Sequence, residues 1–325
     1  MLIMDSEEYE DEIFYCFADF EFTCGEKIYR NQAEMLSVGI IICDEEYEIA
    51  ETYYNTSCPV KNSQLTAHCR KLTGLTQDEI FASPDSNSVI EQVLDILDDY
   101  GIDEVMVWGN YDKQGLLADA KQHRRTYSGC DCIEELAEMI VDVQPKVVKK
   151  LGLPEAVNIE ELAGAFGFTP EEGSFHNAFN DAMGLYEISK GAYTTDFKRN
   201  AALKRLIEER SARRQAIREE AARKRREIAL SVPFTEAEQE FLDSLDDSVR
   251  EVEFEKLISM RCTIIKRFTM LPDTERFVMI CFDEPRRIKV LPLEEYNDEK
   301  SKAAAFWRYI TREEFAAALL EAVKG

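Results

Sequence analysis

The sequence predicts an α/β protein in which a mixed sheet has helices on both sides, followed by a long basic helix and a smaller α+β domain. Segments near residues 13–22, 35–43 and 47–55 are apolar and rich in β-branched or aromatic residues, which favours three antiparallel strands in a row. Strand-like and helix-like segments then alternate, a pattern typical of helices packed on both faces of a sheet. With 325 residues, of which 45% are hydrophobic, the chain is long enough for two domains with separate cores.

The first domain is predicted at residues 13–195, after an acidic tail at residues 1–12. Beyond the three amino-terminal strands, the hydrophobic periodicity predicts two more strands and five helices. The strands are expected near residues 104–109 and 127–131, and the helices near residues 87–99, 112–123, 133–142, 158–167 and 176–194.

A basic connecting helix is predicted at residues 196–230, which are rich in Ala, Arg, Lys and Glu and contain neither Pro nor Gly. A heptad register puts basic residues at three of the eight seam positions, so we do not expect a stable coiled coil. Three interpretations remain open. The helix can be a solvated connection with ion pairs four residues apart, a basic arm that binds a polyanion, or a surface for a partner protein.

Residues 231–325 predict a small α+β domain that resembles no family we can name. The segment TEAEQEFLDSLDDSV favours a capped helix, and RCTIIKRFTML and ERFVMICFDE favour two strands joined by a turn at Pro272. RRIKVLPL favours a third strand. A last helix is expected from Thr311 to Lys324, because Thr-Arg-Glu-Glu is a typical helix start.

The composition limits the functional classes. A net charge of −25 disfavours extensive binding of a polyanion, because neutralisation of phosphates normally supplies much of that affinity. Nine cysteines without C-x₂-C spacing favour a reducing cytoplasm over a disulfide-bonded secreted protein. The acidic start predicts no signal peptide, and the lack of eighteen consecutive apolar residues predicts no membrane helix.

Two carboxylates, Asp19 and Glu21, lie in the first predicted strand within the run IFYCFADFEFT. Residues two apart in a strand share a face, so these side chains project together and repel each other. A divalent cation relieves that repulsion, and ligands that are oxygen only favour Mg²⁺ or Mn²⁺ over zinc. The alternative is a strand that ends in solvent, although Phe20 and Phe22 are poor residues for an exposed loop.

Three further residues complete the candidate site. Asp112 follows a short predicted strand and lies at the start of a helix. It is either an ordinary acid at a helix amino terminus or a metal ligand at the carboxyl edge of the sheet. His176 and Asp181 are five residues apart, so they converge only if His176 precedes the helix, with Ser174 as its expected cap. A histidine there can accept a proton from water or act as a surface or capping residue. His68 and His123 lack such neighbours.

The order DFE, then WGNYD, then H-x₄-D resembles the DnaQ-like DEDDh 3′→5′ exonucleases. The segment LTAHCRKLTGLTQDEI also looks like the leucine-threonine-glycine segment common between the first two motifs of that family. Within it, DFEFTC is most similar to the branch that includes the histone-mRNA 3′-end exonucleases. The resemblance covers about residues 12 to 195 and implies a ribonuclease H-like fold.

Carried over to this sequence, the resemblance implies that Asp19, Glu21, Asp112 and Asp181 hold two divalent metal ions, Mg²⁺ or Mn²⁺, with His176 as general base. It also implies that three residues beside the first ligands contact the last nucleotide through backbone and stacking interactions: Phe20, Phe22 and Thr23. Core packing is the alternative for both phenylalanines, and it is favoured for Phe20.

The expected activity is metal-dependent release of nucleoside 5′-monophosphates from single-stranded 3′ ends, with RNA favoured over DNA. Two alternatives stay open. One is a DNA-directed proofreading or repair exonuclease with the same site. The other is an inactive module that binds nucleic acid or a protein, which is disfavoured because no expected ligand is missing.

Overall fold

The computed structural model describes residues 12–26, 28–124, 131–171, 173–231, 234, 236–269, 277–282, 287–292 and 306–310. The chain divides into two compact units, residues 1–212 and residues 213–325. This division falls inside the helix predicted at residues 196–230. The domain boundaries expected at residues 12, 195 and 230 remain predictions.

The first unit contains a five-stranded mixed sheet with the order β3-β2-β1-β4-β5. The three amino-terminal strands pair antiparallel as predicted, and β4 and β5 continue the sheet parallel to β1. The strands are β1 Tyr15–Phe22, β2 Met35–Cys43, β3 Ile49–Thr56, β4 Val105–Val107 and β5 Ile140–Asp142. The strand predicted near residues 127–131 falls mostly outside the described residues.

Eight α-helices flank this sheet in the described part of the first unit. They are α1 Ala67–Thr73, α2 Gln77–Ala82, α3 Ser86–Asp99, α4 Tyr111–His123, α5 Asp131–Met139, α6 Gln144–Leu151, α7 Ile159–Ala165 and α8 Ala178–Thr194. Our prediction of one helix across residues 133–142 was wrong at its end, because residues 140–142 form β5. Ile140 and Val141 are β-branched and pair with β4, and that tertiary pairing ends the helix.

The sheet has a separate core on each face. One face of β1, with Cys16, Ala18 and Phe20, packs with α3, α4 and α5, while Phe17 on the other face packs with α6, α7 and α8. Every residue of β2 is buried, as expected for a strand covered on both sides. Most side chains of the edge strand β3 are exposed or half-buried. This mixed sheet flanked by helices is the predicted ribonuclease H-like fold.

A long basic helix, α9 Ala201–Ser231, is present as predicted. It is followed by α10 Glu236–Asp243, α11 Asp247–Thr269 and an antiparallel sheet with the order β7-β6-β8. The strands of this sheet are β6 Phe277–Phe282, β7 Arg287–Pro292 and β8 Phe306–Ile310. Two of them match predicted strands, β8 was not predicted, and the helix expected after Thr311 lies outside the described residues.

One prediction for the second unit was wrong: residues 261–269 of RCTIIKRFTML are helical and belong to α11. The β-branched residues favoured a strand, but a tertiary contact overrides that preference. Arg261 is 2% exposed, donates a 2.6 Å hydrogen bond to the Ala229 carbonyl, and stacks 4.2 Å from the centre of the Phe234 ring. These contacts require Arg261 on the buried side of a helix.

Within the described parts of the chain, no helix combines the length and the apolar composition needed to cross a membrane.

Behind α4, a buried polar group joins Asp119, His123 and Ser86. The Nε2 atom of His123 lies 2.7 Å from the Ser86 hydroxyl and 3.3 Å from a carboxylate oxygen of Asp119, whose second oxygen accepts a hydrogen bond from the Met35 amide. Burial favours the neutral form of both ionisable groups. It raises the pKa of Asp119 to about 7 and lowers the pKa of His123.

We expect Asp119→Asn to change how stability depends on pH. Between the unfolded pKa of roughly 3.9 and the folded value, native Asp119 binds more protons than the unfolded chain, so wild-type stability falls as pH rises. The unfolding free energy of the variant minus that of the wild type should therefore increase from pH 5 to 7 by up to about 1.4 kcal/mol per pH unit. Urea denaturation at several pH values measures this difference. A difference that stays constant with pH would contradict the expectation.

Candidate active site

Asp19 and Glu21 lie at the carboxyl half of β1 and share one face, as the alternation of strand residues predicts. Phe17, two residues before Asp19, belongs to the core under α8, so this is the face that α8 covers. In the antiparallel register, Asp19 lies opposite Gly39 of β2. Both carboxylates therefore point toward the helix that carries Asp181.

Gly39 is the residue that allows α8 to lie close to the sheet. A Cβ atom at this position would lie 2.3 Å from the carbonyl oxygen of Ala178, the first residue of α8. Because Gly39 has no side chain, the first turn of the helix lies directly against β2 opposite Asp19. This approach brings Asp181, in the first turn of α8, to the carboxylates of β1.

His176 precedes α8, as predicted, with a φ of 67° that is uncommon for a residue with a side chain. Its amide donates a 2.8 Å hydrogen bond to the carboxylate of Asp181. The expected cap was Ser174, but the structure shows Asn177 in that role, accepting from the amides of Phe179 and Asn180. Asn177 is the residue immediately before the helix, which is where a capping side chain reaches the free amides.

Glu21, His176 and Asp181 come together in a group that could hold a metal ion. One ligand atom from each of these side chains lies within 4.8 Å of the other two. Glu21 is half-buried, Asp181 is buried, and His176 is exposed. The imidazole therefore stands at the solvent side of the acidic group, where a substrate can reach it.

Asp112 enters the same site from the first turn of α4, just after the turn that follows β4. Its buried carboxylate accepts a hydrogen bond of 3.3 Å from the amide of Phe20, which lies between Asp19 and Glu21 in β1. Asp142, at the end of β5, accepts 2.9 Å hydrogen bonds from the amides of Gly109 and Gln144. Asp142 thus holds the Gly109 turn that leads to Asp112. The sequence did not predict this role, because residue 142 was expected to lie in a helix.

The electrostatics of the site reflect four carboxyl groups crowded together. Burial, and then repulsion from the neighbouring carboxylates, raises the pKa of Asp19 well above its usual value and the pKa of Glu21 to about 8. Burial likewise raises the pKa of Asp112 to about 7 and of Asp181 to about 6, although hydrogen bonds from amides oppose both shifts. Carboxylate oxygens in this arrangement fit hard divalent cations, which stabilise the charged forms.

The three predicted substrate contacts lie beside the first two carboxylates. Phe20 is 5% exposed and Thr23 is 4% exposed, and the Thr23 hydroxyl accepts a 3.0 Å hydrogen bond from the Glu34 amide. Phe20 packs in the core that α4 covers, which was the favoured alternative for it. Phe22 is half-buried, and its side chain is the one of the three that remains accessible to a ligand.

Comparison with known proteins gives a family match and several similar folds. A family model described as Exonuclease (RNase_T) matches residues 16–189. Among solved structures, the chain is similar to a 3′-exonuclease that recognises the histone mRNA stem-loop, at 20% identity and a TM-score of 0.47, over 56% of this chain and 63% of that one. It is also similar to the nuclease domain of 3′hExo, a DEDDh family member bound to rAMP, at 20% identity and a TM-score of 0.46, over 56% and 92% of the two chains.

A third similar structure is E. coli exonuclease I in complex with an oligonucleotide, at 13% identity and a TM-score of 0.42, over 59% of this chain and 42% of that one. The chain thus spans less than two thirds of two of these three proteins. No curated protein matches this chain in sequence.

The family match covers more than half of the chain, from β1 to α8, and includes all five predicted site residues. The chain therefore belongs to the exonuclease family, as the resemblance of its motifs predicted.

We expect Gly39→Ala to weaken metal binding by the acidic group. The added methyl group would push the start of α8 away from β2, which costs about 1–3 kcal/mol of stability and displaces Asp181. Isothermal titration with Mn²⁺ should show an affinity lower by about 10- to 100-fold, the usual effect of disturbing the support of a ligand.

The matched control is Gly164→Ala, since a methyl group there meets no atom within 4 Å. Circular dichroism should show both variants folded. Mn²⁺ affinity of Gly39→Ala equal to that of Gly164→Ala would contradict the role given to Gly39.

Proposed function

We propose that the protein is a metal-dependent 3′→5′ exonuclease that releases nucleoside 5′-monophosphates from single-stranded 3′ ends, with RNA favoured over DNA. The observation that carries this proposal is the convergence of carboxylates from β1, α4 and α8 beside His176. Because β1, α4 and α8 are far apart in sequence, the site forms only when the first unit is folded. The family match supports a nuclease, and the choice of substrate is our own inference.

We propose that Asp19, Glu21, Asp112 and Asp181 hold two divalent ions, Mg²⁺ or Mn²⁺. The raised pKa values support this assignment, because a cluster of four buried or half-buried carboxylates is costly without positive charge. When bound, such ions would supply a nucleophilic water at neutral pH and stabilise the leaving 3′ oxygen. The oxygen-rich ligand set favours these ions over zinc.

In this proposal His176 is the general base. Its side chain is exposed at the edge of the acidic group, within 4.8 Å of ligand atoms of Glu21 and Asp181. From that position the imidazole accepts the proton of the attacking water. The hydrogen bond from its own amide to Asp181 keeps the backbone in the uncommon conformation that aims the ring.

The substrate is proposed to be single-stranded because the last nucleotide must reach the carboxylates beside Phe22. A half-buried aromatic ring stacks on any base, so we expect little sequence preference. The resemblance of DFEFTC to the histone-mRNA branch supports RNA. A DNA-directed proofreading or repair enzyme is the second candidate, because the same site cleaves either polymer. The net charge of −25 favours contact with a short stretch of substrate.

We also propose that the protein works in the cytoplasm. Seven of the nine cysteines in the chain are free thiols. Free thiols fit a reducing compartment.

A direct test of the function uses purified protein with 5′-labelled single-stranded RNA and DNA of the same sequence, in Mg²⁺ or Mn²⁺. We expect a ladder of products shortened from the 3′ end and release of nucleoside 5′-monophosphates, faster from RNA, with full loss of activity in chelator. Cleavage of DNA alone would support the repair candidate. Binding of both polymers without product would identify an inactive module and reject the proposal.

The roles of two site residues can be separated with His176→Asn and Asp19→Asn. Asparagine tolerates a positive φ, so the first variant removes the base without straining the backbone. We expect it to lower kcat by about 10²- to 10⁴-fold while Mn²⁺ binding is kept. Asp19→Asn keeps the shape of the side chain but should lose Mn²⁺ binding and activity together. Full activity in both variants would contradict these assignments.

A further inference from the structure

An arginine and a tyrosine form an exposed pair next to the metal-ligand position Asp112. Arg30 lies in the connection between β1 and β2, in a short 3₁₀ helix at Arg30–Gln32. Its guanidinium carbon is 4.3 Å from the centre of the Tyr111 ring, and its Nη2 atom donates a hydrogen bond to the Tyr111 hydroxyl. Tyr111 is 62% exposed although it directly precedes a buried carboxylate.

Among the described side chains, no carboxylate is paired with Arg30. None of the ion pairs between described residues includes Arg30. The chain has 64 acidic and 39 basic residues, so exposed cations near the acidic site are few in kind, and Arg30 is one that a tyrosine holds in place. A guanidinium held against a ring has lost part of its side-chain freedom, which lowers the entropic cost of binding an anion.

The pair lies on the side of the site where Phe22 leaves β1. The Phe22 ring fills the space beside Gly115, since a Cβ atom at that glycine would lie 2.3 Å from it. Tyr111 is one helical turn before Gly115 on the same face of α4, about 6 Å along the helix axis. Since Tyr111 directly precedes Asp112 in α4, the Tyr111–Arg30 pair marks a path from this carboxylate to the surface.

We propose that Arg30, held by Tyr111, binds the phosphate of the linkage just upstream of the scissile bond. This inference rests on the proposed function and adds a substrate contact to it. A strand whose last nucleotide lies beside Phe22 leaves the site along this path, and its next phosphate then faces the guanidinium. The planar guanidinium offers several N–H donors to phosphate oxygens, and its face remains stacked on the ring.

The subsite explains how so acidic a protein gains affinity for a polyanion. One preorganised cation placed at the first upstream phosphate contributes to every single-stranded 3′ end, whatever its sequence. It contributes nothing to a mononucleotide ester, which has no such phosphate. Substrates that lack the upstream phosphate, or carry it without charge, therefore test the proposal most directly.

The experiment compares Arg30→Gln with wild type on a ten-nucleotide single strand and on the same strand with one neutral methylphosphonate at the second linkage from the 3′ end. Single-turnover release of the first nucleotide gives a half-saturating concentration and a maximal rate. On the ordinary strand we expect Arg30→Gln to raise the half-saturating concentration about tenfold, with the maximal rate unchanged within about twofold.

For the wild type, the methylphosphonate should raise the half-saturating concentration by a similar factor, and for Arg30→Gln it should cause no further increase. The slope of log affinity against log salt should fall by about 0.7 in the variant, the value for one phosphate contact on a single strand. The p-nitrophenyl ester of a nucleoside 5′-monophosphate should be cleaved equally by both proteins. Tyr111→Phe, which keeps the ring and loses the hydroxyl, should show a smaller effect than Arg30→Gln.

Arg199→Gln is the matched control because it removes the same charge beyond the other end of α8, about 25 Å along the helix from His176. An additional penalty from the methylphosphonate in Arg30→Gln, or an equal effect of Arg199→Gln, would overturn the proposal.

Fluorescence anisotropy of the same labelled strands separates this inference from the proposed function. If no polymer is cleaved but binding follows the expected pattern, the function is rejected and the phosphate subsite stands. If wild type cleaves the strands and Arg30→Gln binds them as well as wild type does, the subsite is rejected and the function stands.

Discussion

The site depends on the close contact between the first turn of α8 and the backbone of β2 at Gly39. The contact needs a glycine at one position, opposite Asp19 in the antiparallel register. It brings the ends of two distant segments together: a strand that carries two carboxylates and a helix that carries a third. The position of His176 follows from the same contact, because this residue enters the helix and its amide bonds to Asp181.

Bringing the carboxylates and His176 together is unfavourable both electrostatically and in backbone conformation. Burial raises the pKa of all four carboxylates, and repulsion from their neighbours adds to the shifts of Asp19, Glu21 and Asp112, so the group is poorly stabilised as four anions. His176 is held at a positive φ. The rest of the first unit compensates with a sheet that is covered on both faces by apolar residues. Strain and unfavourable charge at one edge of a well-packed sheet are typical of sites that bind ions and substrate.

The distribution of charge outside the site bears on how the protein would attract a polyanion. The molecule is strongly acidic, and most basic residues of the described helix α9 are exposed, with Arg223 and Lys224 paired to glutamates of the same helix. In the proposed function, attraction of a polyanion would depend on local features: cations held by the carboxylates, and single residues such as Arg30 that have no acidic partner among the described residues. Such an enzyme would contact few phosphates and recognise the end of a strand more than its length.

The sequence by itself determined the three antiparallel strands and the alternation of helices and strands that follows, and it predicted five candidate site residues, because period-two and period-3.6 patterns and short motifs are local properties. It could not determine β5, whose pairing with β4 ended a predicted helix, or the helical state of residues 261–269, where a buried Arg261 overrode β-branched propensity. Tertiary structure alone decided the cap Asn177, the support of the Gly109 turn by Asp142, and the pairing of Arg30 with Tyr111. Each of these depends on atoms that are distant in sequence or on backbone conformation, and neither is visible in a local pattern of residue types.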